Sequence, residues 1–116
     1  MSLAPPMVDF QCKVNGQPVT LKIKTDLTYG EVQEILTRSV KVRENGEKEF
    51  LFNNFCDLLL TKTIVEGLPF PSTNLVKLKE LPMSEVSVIL GEIMKLIPLE
   101  SYFKNIGMED LNVQNQ

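Results

Sequence analysis

The chain has 116 residues, with 12 Lys and Arg against 15 Asp and Glu, a net charge of −3, and no His. One domain of this size can bury about two-thirds of its unfolded surface, and its mildly acidic balance argues against a binder of phosphate backbones. Without His, Ser-His and Cys-His nucleophiles and Cys/His zinc sites are excluded, so an enzyme is not expected.

Residues 1–7, with Pro5-Pro6, read as an extended lead-in to a single domain over 8–106. Val8, Phe10, Cys12 and Val14 then alternate with Asp9, Gln11 and Lys13, and after Asn15-Gly16 the residues Val19, Leu21 and Ile23 alternate with Thr20, Lys22 and Lys24. Asn-Gly between two alternating runs predicts a hairpin with a type I′ turn. Its register sets Cys12 opposite Val19, Phe10 opposite Leu21, Val8 opposite Ile23, Asp9 opposite Lys22 and Val14 opposite Gln17. Pro18, opposite Lys13 with its missing N–H outward, marks an edge at that point. Lys22 and Lys24 are expected on the solvent side.

Thr28 with Glu31 forms a capping-box pattern, and Val32, Ile35 and Leu36 follow at helical spacing, which predicts a helix over 29–39. The charged stretch 41–49 contains a turn at Asn45-Gly46, but no clean alternation flanks it. The reading there is one long helix over 47–65, with Leu51, Phe52, Phe55, Leu58 and Leu59 on one face and Cys56 beside it, ended by Gly67, Pro69 and Pro71. A short helix over 74–81 follows, with Leu75, Leu78 and Leu81 the candidates to face inward. Pro82 separates it from a helix over 83–97 carrying Val86, Ile89, Leu90, Ile93, Met94, Leu96 and Ile97. Apolar over far more than one stripe, that helix is either central to the core or meets another chain. A last segment from Leu99 to Ile106 offers Tyr102 and Phe103, and a polar tail with Met108, Leu111 and Val113 occupies 107–116. The fold class is α+β: an N-terminal antiparallel β-hairpin followed by a mostly helical domain of about four helices.

No constellation of residues carries chemistry. Glu44, Glu47 and Glu49 suit a helix N-terminus, and Glu85 and Glu92 read as the solvent-facing positions of their helix. Asp57 reads as the polar edge of its helix, the alternative being a buried, paired group. The six glycines lie far apart, which leaves no phosphate-cradling loop, and Gly91 reads as an aid to close helix packing. No stretch approaches the roughly 20 apolar residues of a membrane span. With two cysteines, Cys12 and Cys56, and no secretory leader, the expectation is a cytoplasmic protein with two buried thiols, no cofactor, no metal, and neither nucleic acid nor membrane as partner. What remains is an interaction domain.

The middle and end of the chain run Phe55-Cys56-Asp57-Leu58-Leu59-Leu60-Thr61-Lys62-Thr63-Ile64-Val65-Glu66, then a proline loop, Leu78-Lys79-Glu80-Leu81-Pro82 and the apolar helix. With the hairpin and the phrase Leu27-Thr28-Tyr29-Gly30-Glu31-Val32, this order resembles the tail assembly chaperones of tailed bacteriophages and prophages, over roughly residues 8 to 103. It departs from their pattern at Gly67-Leu68 ahead of Pro69 and in its very apolar last long helix. The resemblance implies a non-catalytic viral protein that self-associates, coats the helical tape-measure protein in the host cytoplasm, and recruits tail-tube subunits. Leu90, Ile93, Met94 and Ile97 are the candidate partner-binding residues, the alternative being that they are core. A second resemblance, carried by the hairpin and the capped helix, is to ubiquitin-like β-grasp adaptors. It requires further strands near Phe50–Phe52 or Ile64-Val65.

Overall fold

The computed structural model describes residues 6–105, with side-chain surroundings through residue 102. Most of the expected lead-in over 1–7, the expected tail over 107–116, Ile106 and the side chain of Phe103 lie outside those described.

Strands β1 (Met7–Val14) and β2 (Gln17–Lys24) form an antiparallel hairpin in the expected register, closed by Asn15 at φ 55° and Gly16 at φ 79°. Its outer face carries the Asp9–Lys22 ion pair at 3.0 Å. Its inner face carries Val14, Leu21 and Ile23, all nearly or fully buried. Lys24 is not a free solvent-side residue: its half-buried ammonium is clasped by Glu31 at 2.7 Å. Helix α1 (Tyr29–Ser39) starts where the capping box places it, with Thr28 Oγ1 accepting from Glu31 N and Glu31 accepting from Thr28 N. Its buried stripe includes Val32 and Ile35.

The stretch read as one helix over 47–65 divides into three elements. Strands β3 (Val40–Val42) and β4 (Lys48–Phe50) pair antiparallel around Asn45-Gly46, so that turn closes a second hairpin. Arg43 N donates to Glu47 O at 2.7 Å, and the Arg43 guanidinium meets Glu49 at 3.1 Å. The acidic cluster thus borders a hairpin turn and not a helix start. Helix α2 (Phe52–Thr63) follows, with no acidic residue in its first turn. It ends early because Ile64 leaves the helix to start β5 (Ile64–Glu66), which pairs antiparallel with β2. The strands required by the β-grasp resemblance do form near those positions. They belong to two sheets, a three-stranded one in the order β1-β2-β5 and a two-stranded one.

Helices α3 (Leu75–Lys79) and α4 (Met83–Leu96), each slightly shorter than expected, and α5 (Leu99–Asn105) complete the described chain. Helix α3 is capped by Asn74, whose side chain accepts from Lys77 N. The architecture is α+β. One apolar core joins the inner face of the sheet to α1, α2 and α4, with Leu21, Ile23, Ile35, Leu59 and Ile93 wholly buried. Helix α4 is tied to the hairpin by Glu85, whose two carboxylate oxygens accept from Asn15 N at 2.6 Å and Gly16 N at 2.8 Å. Glu85 is therefore a clamp on the turn and not a solvent-facing position. By closing over that end of the hairpin, α4 buries Val14, although its cross-strand partner Gln17 is exposed.

Candidate functional site

The solvent side of α4 is not where its acids lie. Glu85 is held by the hairpin, and half-buried Glu92 sits 3.6 Å from Lys95. The exposed positions are instead Met83, Ser84, Ser87, Val88, Gly91, Met94 and Lys95. Three large apolar side chains stand in that set, with Met83 69%, Val88 53% and Met94 42% exposed. Across from them, Phe52 at the start of α2 is 58% exposed.

Between α2 and α4 runs an open groove of about 720 Å³. Leu60, Leu78, Leu81 and Leu90 form its buried floor, and Phe52, Met83 and Met94 stand along its rim. Helix α3 closes one side, where Lys79 reaches Asp57 at 3.4 Å. Asp57 is half-buried and paired, so it lies between the two expectations: it has the partner of the buried, paired group and part of the exposure of the polar edge. Gly91 also lines the groove, and a Cβ built there would meet nothing within 4 Å. Its role is not close packing against a neighbouring helix; it leaves the groove wall low. A second depression of about 570 Å³ adjoins the first through Met94, bounded by Phe55, Pro98 and Leu99.

The four candidate partner-binding residues separate on this surface. Leu90 and Met94 line the main groove, Met94 also lines the second depression, and Ile97 lies buried at the base of that depression. Ile93 points wholly into the core. The opposite wall, with Phe52, Cys56 and Leu60 on α2, is not among the candidate partner-binding residues expected from the sequence. The signal for it is the consecutive run Leu58-Leu59-Leu60, which widens the apolar arc of that helix past what one packing face requires.

The thiols are half-buried, not buried. Burial, and then the neighbouring Asp57, push Cys56 above the ordinary thiol range, and burial followed by Glu85 does the same for Cys12. Both stay protonated at neutral pH, which is the inert condition for a cysteine. Among the described residues, no three Cys, Asp or Glu side chains cluster closely enough to hold a metal ion, and no helix is long and apolar enough to cross a membrane. The groove therefore offers apolar surface with one ion pair at its side, a lining suited to an apolar helix face or similar ligand. No protein-family model matches this chain, and no curated protein or solved structure shows significant similarity to it.

Proposed function

We propose that this protein is a non-catalytic tail assembly chaperone, which holds an amphipathic segment of the phage tape-measure protein in the groove between α2 and α4 and helps recruit tail-tube subunits around it in the host cytoplasm. The observation that carries the reading is the groove itself: a floor of four buried leucines under a rim of exposed Phe52, Met83 and Met94. A long tape-measure helix presents an apolar stripe that invites aggregation until covered. A groove of this kind covers such a stripe through apolar anchors at helical spacing. Methionines on the rim suit a chaperone, because their unbranched side chains adapt to successive turns of a helix whose residues differ.

The test is a pull-down with overlapping fragments of a tape-measure protein from the same genome. Soluble capture of a helical fragment is expected, and Met94→Asp, on the exposed rim, is expected to weaken it roughly tenfold or more while leaving the fold intact. Fragments that all stay insoluble with the wild-type protein, or capture unaffected by Met94→Asp, would reject the reading and favour an adaptor with a different partner.

A further inference from the structure

The three-stranded sheet has two unlike borders. On the β2 side, β5 covers Lys22 and Ile23, the chain at Gly67 closes against Thr20, and Pro18 guards the remaining length. On the β1 side there is no such cover among the described residues. Strand β1 is eight residues long, contains no proline and no bulge, and pairs among the described residues only with β2. In a hairpin closed by a two-residue turn, Val14 and Gln17 exchange hydrogen bonds, and so does every second pair beyond them. The backbone groups of Asp9, Gln11 and Lys13 therefore point away from β2, and none has a backbone partner among the described residues.

The side chains along this border are also incompletely covered. Leu21 and Ile23 on β2 are 0% exposed, yet Phe10 and Val8, directly opposite them, are only half-buried, as is Cys12. Val88 of α4 stands exposed beside Cys12 and Lys13 at a depression of about 380 Å³. On the outer face Asp9 is paired with Lys22, whereas Lys13 faces Pro18 and has no ion-pair partner among the described residues.

We infer that β1 is a homodimer edge, on which two copies of this chain pair antiparallel about a two-fold axis at Gln11 and join their sheets into one. In that register Asp9 lies opposite the partner's Lys13, Gln11 opposite the partner's Gln11, and Phe10 opposite the partner's Cys12. The outward backbone groups match, giving about six inter-chain hydrogen bonds. Both copies of Lys13 gain a carboxylate, and the half-buried apolar row of each strand gains a neighbour. No other register does this. A shift of two places sets Asp9 or Lys13 against Gln11, and a shift of four sets like charge against like. The proposal does not depend on which helical partner fills the groove, and its test reads mass, not capture.

The experiment is light scattering and sedimentation of the full chain and of two charge variants, with circular dichroism to verify folding. The wild type is expected to reach the mass of a dimer. Lys13→Glu and Asp9→Lys should each weaken dimerisation about tenfold or more, since each places like charges opposite one another twice. Mixed in equal amounts, the two variants should recover a heterodimer, because every facing pair is then opposite in sign. Gln11→Pro removes only an outward N–H, and should leave a folded monomer. A wild type with single-chain mass at every concentration, single variants that dimerise as well as the wild type, or a mixture that stays monomeric would each overturn the proposal.

Discussion

Gly67 and Gly91 both border apolar surface, and the chain uses them in opposite ways. At Gly67, φ is 112°, and an added Cβ would fall 2.3 Å from Thr20 O and 2.8 Å from Leu21 Cα. A side chain there meets the backbone of the central strand, which cannot yield as a flexible side chain would. Gly67→Ala is expected to cost about 3 kcal/mol, combining an unfavourable backbone angle with the displacement of β5. Gly91 lies in a helix with open space around it. Gly91→Ala should raise stability by roughly 0.5–1 kcal/mol through helix propensity alone. Urea denaturation of both variants checks the pair, and equal effects would contradict the geometry. The sequence shows Gly67 only as a helix terminator, since its contact with Thr20 joins residues far apart in the chain. The groove was half legible at this scale: Leu90 and Met94 follow from the excess apolar arc of their helix, while Ile93, one turn before Ile97 at the end of that helix, is indistinguishable from them until the core is assembled.

The elements that could be read ahead are those whose signals are local. Asn15-Gly16 and strict alternation set the register of the first hairpin, because a slip of one residue would turn every apolar side chain outward. The capping box at Thr28 and Glu31 sets the start of α1. By contrast, β3, β4 and β5 are three residues each, too short to show alternation. For β5 the partner also lies far back in the chain: Ile64 leaves a helical pattern to pair with Ile23. Helix α2 likewise has no side-chain N-cap; its entry is held by Leu51 N donating to Ser39 O at 2.6 Å and Asn54 Nδ2 donating to Arg38 O at 2.9 Å. Both ties reach back to the end of α1, so the two helices are mechanically joined. Thr28→Ala is therefore expected to lower global stability by about 1 kcal/mol and not merely fray one turn. A single cooperative transition at a lower urea midpoint, with amide exchange faster in both α1 and α2, is the expected record. Faster exchange confined to the first turn of α1 would show that the helices are not coupled.

Across the whole molecule, one stretch, residues 26–34, gathers charged ties from several elements. Tyr102 of α5 donates to Asp26, and that bond, followed by the Leu27 N–H, holds the Asp26 carboxyl below the ordinary range. At Glu31 burial alone would raise the pKa, but the bonds from Lys24 and the Thr28 N–H together draw it down. The bond from Lys62 at 2.7 Å, with Arg38 beside it, does the same for exposed Glu34. These contacts tie α1 to β2 and α2, and the turn ahead of α1 to α5, so their protonation loosens the packing of several elements together. A carboxyl whose folded pKa is depressed binds its proton more readily in the unfolded chain. Its contribution is then complete above the unfolded value, about 4, and is lost as pH falls through the folded one. The urea midpoint should accordingly be flat from neutral pH down to about 5 and fall steeply below about 4. Glu31 is the most enclosed of the three, and Lys24, its partner, keeps only 14% of its side-chain surface exposed. In Glu31→Gln the neutral-pH stability should drop and the acid-induced fall should shrink, since part of what acid removes is already gone. An acid-induced fall as large in Glu31→Gln as in the wild type would place the titrating groups elsewhere in the molecule.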